Sequence, residues 1–499
     1  MYTQNFQRRS DLTLSVRLFI AYLMICQPHR GLVPKLCDKY SVSRTFIYNL
    51  RKKYISIDEN PVSVVEMSAE LSKELSVSLL LSLRMEGKCS IESIHTIMTR
   101  LGYCCNSVGF ISEKLHEVGA QLGKNLESGH VGGLKYVLCC DEIFAKNRPI
   151  LVSVDPISLQ ILRIELSEKR ESASWEAHWE SLLEQGYTPI YIAKDEGTAL
   201  SAAHEKTFPD AAYQSDTFHA VAHRLGLEYR KLEKSAYNAI ETEYNCLYLW
   251  EKAQSDECFN KRETKYIAAK KVSDEAIDLF DKFEFLYHCL LSCFQVFDDK
   301  GKLKDLSKTT GDFDTALQYL KSLDRVGINK QVKSIEACQK NLFHFMLIAQ
   351  NIVAQLAQTM DKESVEKFCL AWQTQKNHQK IKGNPARKHA LKRKESYLLA
   401  EVKGMTGEQY QSTKDSTYAL LDQIVQSSAA VEGLNSILRP YLNTAKNNVT
   451  QEFLNLFMFY HNHRRFYAGK RKGKTPNELF TGKPQTMDWL ELIRQRIAG

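Results

Sequence analysis

The chain has no long apolar segment. No stretch approaches the roughly 18 uncharged apolar residues that a membrane-spanning helix needs, so we expect no membrane partner. The polar start Met1–Ser10 and the charge of Arg17 in the following apolar segment are unlike a secretory signal peptide. These absences disfavour membrane and secreted classes and predict a cytoplasmic protein.

Cysteine is present but is not spaced for zinc. The 13 cysteines are an odd number, and no CxxC motif occurs. Zinc fingers need paired Cys/His spacings and secreted scaffolds use disulfide frameworks, so we expect reduced thiols, as in the cytosol. Cys289 and Cys293 lie one helical turn apart in an apolar run, and we interpret them as buried thiols.

Positive charge is modest in total but uneven along the chain. The formal net charge of +8 over 499 residues permits an acidic partner. A first basic cluster comprises Lys376, Lys380, Lys382, Arg387, Lys388, Lys392, Arg393 and Lys394. A second basic cluster comprises Arg464, Arg465, Lys470, Arg471, Lys472 and Lys474. A solvated face explains the first as well as phosphate contact does; for the second, which adjoins a motif described below, we favour phosphate contact.

The predicted elements divide the chain into five segments. They are 1–60, a helix-turn-helix unit; 61–130, a second helical unit; 131–224, short strands and helices; 225–425, almost entirely helix; and 426–499, two further helices and a basic C-terminal region. Strong helical periodicity outside 131–224 carries most of this division.

Two short helices near the N-terminus predict a DNA-binding unit. A helix over 32–39 is followed by a turn at Tyr40–Val42, and Ser43 is a natural N-cap for a helix that ends near Lys53. The second helix should expose side chains suited to groove edges and phosphates, namely Arg44, Thr45, Tyr48, Asn49, Arg51 and Lys52. A plain helical hairpin is the alternative. A second, less basic pair of helices follows, capped by Ser90 and by Asn106 or Ser107.

The segment 131–224 has the order three strands, helix, strand, helix, strand. An aspartate ends three of the predicted strands: Asp141, Asp195 and Asp216. Strand ends open into loops, where a sheet presents its functional groups. Carboxylates are the ligands that Mg²⁺ prefers, and two such ions can support phosphoryl transfer. An aspartate that merely caps a turn is the alternative for any one of them.

This layout resembles a known family. The sequences CCDEIF, IAKDEGTALSAA and YQSDTFHAVAH resemble the RNase H-like core of DDE transposases and retroviral-type integrases. Asp216 and His219 match the C/D(2)H signature of families related to hAT and Mutator-like elements, in which a long helical insertion precedes the last acid.

The segment after the helical stretch carries the rest of the likeness. Glu432 stands in the EGxN form of several bacterial transposases, and Arg439 follows seven residues later on the same helix face. The sequence YHNHRRFYAGKRKGKTPNELF resembles the Y-N-x-x-R … T-P-x-E ending of integrase-like cores, with an extra His461. The residues that match are Tyr460, Asn462, Arg464, Arg465, Thr475, Pro476 and Glu478.

The resemblance implies an α/β RNase H-like catalytic core that is interrupted by a large all-α insertion and preceded by helix-turn-helix units. It implies a DDE transposase of the bacterial insertion-sequence type, which cleaves element ends and transfers strands. Asp141, Asp195 and Glu432 would hold two Mg²⁺ or Mn²⁺ ions. Asp216, His219 and Arg439 would support this site, and Arg464, Arg465, Lys470 and Arg471 would contact DNA.

The implied partners are double-stranded DNA, as terminal repeats and as target, and other copies of the chain in a dimer or larger synaptic assembly. The implied location is the nucleoid-associated cytoplasm of a prokaryote. Two alternatives stay open: a catalytically silent, transposase-derived DNA-binding protein, and an RNase H-like nuclease or resolvase.

Overall fold

The computed structural model describes residues 12–55, 75–103, 105–123 and 135–498. These residues are mostly helical, with one mixed five-stranded sheet. They form two units: the first comprises Met1–Leu122, Asn443–Lys446 and Trp489–Gly499, and the second Gly123–Leu442 and Asn447–Asp488. None of the described helices is both long and apolar enough to cross a membrane.

The regular elements in the described part of the first unit are all helices. Its helices are α1 (Leu14–Cys26), α2 (Leu32–Tyr40), α3 (Arg44–Ile55), α4 (75–85), α5 (Ile91–Arg100), α6 (Val108–Gln121) and α20 (Trp489–Ala498). The C-terminal helix α20 is anchored here because Trp489 is buried and its Nε1 donates to Oε1 of Glu86 at 2.9 Å.

The predicted turn between α2 and α3 is confirmed in detail. Ser41 ends α2 in the left-handed region with φ 50°, and the Ser43 hydroxyl accepts a hydrogen bond from the backbone N–H of Phe46. Apolar side chains spaced three and four apart pack α1, α2 and α3 around one core, which includes Ile20, Leu36 and Ile47. Ser90 and Ser107 cap α5 and α6, as the sequence predicted.

The sheet of the second unit has the strand order β3-β2-β1-β4-β5. Its strands are β1 (Lys135–Ala145), β2 (Arg148–Val154), β3 (Ile161–Leu166), β4 (Thr188–Lys194) and β5 (Tyr213–Ser215). Strands β1 to β3 are antiparallel, whereas β1, β4 and β5 are parallel. With α7 (Ser172–Leu183) and α8 (Thr198–Thr207) in between, the predicted order of strands and helices is confirmed.

One face of the sheet packs against α7 and α8. Trp175 and Trp179 of α7 are fully buried in the same core as Leu138 and Ile192. Alternating apolar residues of β1 supply this face.

The edge strand β3 is closed by side chains of helix α18 (Gln451–His463) instead of another strand. The Asn462 amide accepts from the backbone N–H of Ile161 and donates to its carbonyl, both at 2.9 Å. The Gln451 amide does the same for the N–H of Leu166 and the carbonyl of Ile164. These contacts satisfy an edge that would otherwise be a template for aggregation.

The segment 225–425 is helical, as predicted. A π-helical turn (Phe218–His223) leads into α9 (Arg224–Glu251), α10 (Asp256–Cys293), α11 (Leu306–Ser322), α12 (Val326–Cys338), α13 (His344–Leu356), α14 (Lys362–Lys380), α15 (Pro385–Thr406) and α16 (Tyr410–Leu421). A core that includes Phe283, Phe313 and Phe345 holds most of these helices together.

The chain then returns to the sheet through α17 (Ala429–Thr444), α18 and the short α19 (Pro476–Thr481). Helix α19 begins in a capping box, because the Thr475 hydroxyl accepts from the N–H of Glu478 and the Glu478 carboxylate accepts from the N–H of Thr475. The T-P-x-E sequence is therefore a helix start in this chain.

Candidate active site

Asp141 lies inside β1, so the prediction that it ends the strand is wrong. The strand continues to Ala145 because it forms a hairpin with β2, in which Asp141 faces Val152. Its pairing with β4 stops two residues earlier, at Cys139 and Ala193. Asp141 therefore stands where β4 has already ended.

Asp195 is the first residue after β4, as predicted. Its Oδ1 accepts a hydrogen bond from the backbone N–H of Gly197 at 2.9 Å, which fixes the carboxylate at the entrance to α8. The parallel pairing of β1 with β4 brings Asp195 near Asp141, and each acid lies in the electrostatic field of the other.

The environment of Asp141 disfavours its charged form. Burial raises its pKa from 3.8 to about 7, and the nearby carboxylates of Glu142 and Asp195 add to the increase. The hydrogen bond from the Glu142 N–H and the proximity of His219 act in the opposite direction but are weaker. A cation bound beside Asp141 would favour its charged form, so this is a place where a cation would bind favourably.

Glu142 has a partner of its own. Its Oε1 accepts from the Arg170 guanidinium at 3.0 Å, and burial raises the pKa of this carboxyl. Asp141 and Asp195, by contrast, have no ion pair with any cation in the described part of the chain.

Asp216 is buried and fully hydrogen bonded. Its Oδ1 accepts from the N–H groups of Phe218 and His219, at 2.8 and 2.9 Å. Its Oδ2 accepts from the N–H and hydroxyl of Ser428, at 2.7 and 2.6 Å. Asp216 therefore starts the π-helical turn and holds the residue that precedes α17, and none of its oxygens is left for a metal.

His219 and Glu432 are in direct contact. His219 Nε2 lies 2.8 Å from Oε1 of Glu432, although they are 213 positions apart in the chain. Both side chains are partly exposed, so this edge of the site is open to solvent. The contact brings the predicted third acid to the same end of the sheet as Asp141, whose pKa His219 lowers.

The segment that leads into α17 is clamped against the strand ends. The Tyr191 hydroxyl contacts the backbone of Gln423 and Val425, and Thr217 donates from its N–H and hydroxyl to the carbonyl of Gln426. The Ser428 contact with Asp216 completes this clamp. Sequence reasoning missed Tyr191 and Ser428; the only local signal was a serine directly before a helix.

The donor set suits a hard divalent cation, since Asp141, Asp195 and Glu432 offer only carboxylate oxygens. In the ranges that the structure covers, no three His, Cys, Asp or Glu side chains converge closely enough to enclose an ion by themselves. Arg439, the predicted supporting cation on α17, is exposed and makes no side-chain hydrogen bond or ion pair with another described residue.

The second basic cluster is largely bonded within the protein. Arg465 donates to the carbonyl of Gly473 and to Glu478, at 2.8 and 3.0 Å. Lys470 pairs with Asp422 at 2.6 Å, and Arg471 donates to the carbonyls of Pro156 and Ile157. Arg464 lies over the Tyr460 ring. That these residues contact DNA stays a prediction.

The predicted N-terminal contact residues are all on the surface. Arg44, Thr45, Tyr48, Asn49, Arg51 and Lys52 are exposed along α3, as the sequence predicted. Their role in DNA binding stays a prediction. No protein-family model matches the chain, and no curated protein sequence matches it either.

Proposed function

We propose that this chain is a DDE transposase with an RNase H-like catalytic core, in which Asp141, Asp195 and Glu432 are the catalytic acids. The observation that carries the proposal is that elements far apart in the chain bring the three acids to the same end of the sheet. One acid comes from β1, one from the end of β4 and one from a helix more than 200 residues later, which His219 contacts at 2.8 Å. The order and direction of the five strands support the same core.

The metal partners in this proposal are two Mg²⁺ or Mn²⁺ ions, which Asp141, Asp195 and Glu432 would hold. Bound ions would supply activation of a water or 3′-hydroxyl and stabilisation of the leaving oxygen. Asp141 must be deprotonated to bind a cation, and its pKa of about 7 makes that loss of a proton part of metal binding. His219 orients the Glu432 carboxylate, and Asp216 positions His219 and α17 without touching the ions.

The proposed substrate is double-stranded DNA at the ends of a mobile element and at its target. Two ends must be joined to one target, so we propose a dimer or larger assembly. Helix α3 would read sequence through Tyr48 and Asn49.

The test is strand cleavage on DNA from the genomic flanks of the gene. Asp141→Asn should abolish Mg²⁺- or Mn²⁺-dependent nicking and leave binding to the same duplex intact, because the change removes a ligand but keeps the shape. Asp210→Asn is the matched control, since Asp210 is an exposed aspartate elsewhere in the second unit. Full cleavage by the Asp141 variant would refute the assignment.

Two other outcomes would favour the alternative functions. Binding to the flanks by the unmodified protein without cleavage in either metal would indicate a silent DNA-binding protein. Cleavage of four-way junctions without strand transfer would indicate a resolvase.

A further inference from the structure

The first basic cluster is built differently from the second. No acidic residue occurs between Lys367 and Lys394. Seven of its cations make no side-chain hydrogen bond or ion pair with any described residue, and all seven are exposed: Lys380, Lys382, Arg387, Lys388, Lys392, Arg393 and Lys394. Only Lys376 is paired, with Asp422 at 2.8 Å.

The first half of α15 is a helix with almost no packing. Every residue from Lys382 to Ala390 is exposed, and the buried residues of α15 begin only at Glu395. Arg387, Lys388, Lys392 and Lys394 fall within about half of the helix circumference and span roughly 10 Å of its axis. A folded core does not need this surface.

The cations at the start of α15 are also in electrostatically unfavourable positions. The first turn of α15 carries no acid, although the positive end of a helix dipole disfavours cations. Lys388 and Lys392 are four residues apart, where like charges repel. An external anion would relieve both effects, because helix N-termini themselves attract anions.

This exposed helix is nevertheless well defined. Gly383 turns the chain with φ +79°, a conformation that glycine adopts without strain. The Asn384 side chain accepts from the N–H of Arg387 at 3.0 Å, and Pro385 occupies the first turn. A preformed helix loses little conformational entropy when it docks.

We infer that Lys380–Lys394 is a docking surface for the sugar–phosphate backbone of double-stranded DNA. The inference rests on the proposed function for the identity of the polyanion. No Phe, Trp or Tyr lies between Lys380 and Lys394, so the surface has no ring of that kind on which an unpaired base could stack. Contacts from free lysines and arginines to phosphates position a duplex without reading its sequence.

The test is the salt dependence of binding to a duplex of random sequence, without divalent metal and in the Asp141→Asn background. We expect the fourfold variant Lys382→Gln, Lys388→Gln, Lys392→Gln, Lys394→Gln to bind roughly tenfold or more weakly at constant salt. The slope of log K against log salt should become less steep by about 2 to 4, because each phosphate contact releases about one counterion.

The matched control carries the same charge change on another helix. Lys261, Lys265, Lys270 and Lys271 are exposed on α10, and their replacement by Gln should leave the slope within about one unit. Equal slopes for the two fourfold variants would overturn the inference. Because metal and cleavage are absent from this assay, its result is separate from the fate of the catalytic proposal.

A photo-crosslink gives a readout that does not depend on affinity. A benzophenone amino acid at Ala390, which is exposed between the cations, should crosslink to the duplex. The same group at Ala268, exposed on α10, should not. Crosslinking from Ala268 alone, or capture of acidic polypeptide in place of duplex, would overturn the assignment.

Discussion

The two basic clusters look alike as sequence and differ as structure. In the second, Arg465, Lys470 and Arg471 donate to a carboxylate or to carbonyl groups of the protein. In the first, the cations of Lys380–Lys394 have no such partner in the described chain. A run of lysine and arginine in the sequence therefore does not show whether its cations are bonded within the protein. The contacts of each side chain show it.

Asp422 is the acid that accounts for much of the difference between the two basic clusters. Asp422 ends the helical region, and it accepts from Lys376 of the first cluster, from Lys470 of the second and from the Trp372 indole at 3.1 Å. These contacts lie just before the clamp that leads to Glu432. Through Lys470 and Asp422, the second cluster thus helps to fix the segment that leads back to the sheet. In the first cluster, only Lys376 reaches an acid among the described residues.

Among the changes that test this comparison, we expect the largest effect on stability from the replacement of Asp422. Asp422→Asn should lower the free energy of unfolding by about 2 kcal/mol, because two ammonium groups lose their shared carboxylate in a partly buried place. Urea denaturation at neutral pH measures the change.

The pH dependence distinguishes charge from packing. Burial alone would raise the pKa of Asp422, but Lys376 and Lys470 together hold it below its ordinary value. A depressed pKa contributes stability above the unfolded value of about 3.9, and this is lost as the pH falls further. The gap between the unmodified protein and the variant should therefore shrink below about pH 4. A gap that is constant down to pH 3 would mean that the charge is irrelevant.

The next effect concerns Arg471. Arg471→Gln should cost about 1 to 2 kcal/mol, because the carbonyls of Pro156 and Ile157 lose their charged donor. Lys474→Gln is the control in the same cluster, since Lys474 is exposed, and should change stability by less than about 0.5 kcal/mol. Urea denaturation measures the free energy of unfolding of both variants. Equal losses would contradict the distinction between cations that are bonded within the protein and cations that are not.

Local sequence patterns predicted most of the helices and strands but were less successful for the residues at which they end. A short apolar run predicted β1, but the strand passes through Asp141 because its hairpin partner β2 continues to pair with it. The end of a strand depends on its neighbour, which a window of sequence does not contain. The caps at Ser43, Ser90 and Ser107 were predictable because a cap is formed within four residues.

Long-range contacts of the site were beyond local reasoning. Asp216 and Ser428 are 212 positions apart in the chain, so no sequence periodicity predicts their hydrogen bonds, and Glu432 was selected through family resemblance. The ion pairs of Arg465 with Glu478 and of Lys470 with Asp422 were also not predictable. The positions of these two acids follow from packing and from the capping box of α19.

The smallest expected effect is a gain in stability, and it tests most directly whether the first cluster differs from the second. Lys388→Glu should stabilise the protein by a few tenths of a kcal/mol, because an acid near the N-terminus of α15 interacts favourably with the helix dipole and with Lys392 one turn later. The same variant should weaken binding to duplex DNA, since a phosphate contact becomes a repulsion. Thermal unfolding and duplex titration on one preparation measure both. Lys388→Gln should lie between the two in stability, and a destabilised Glu variant would mean that Lys388 serves the fold as the second cluster does.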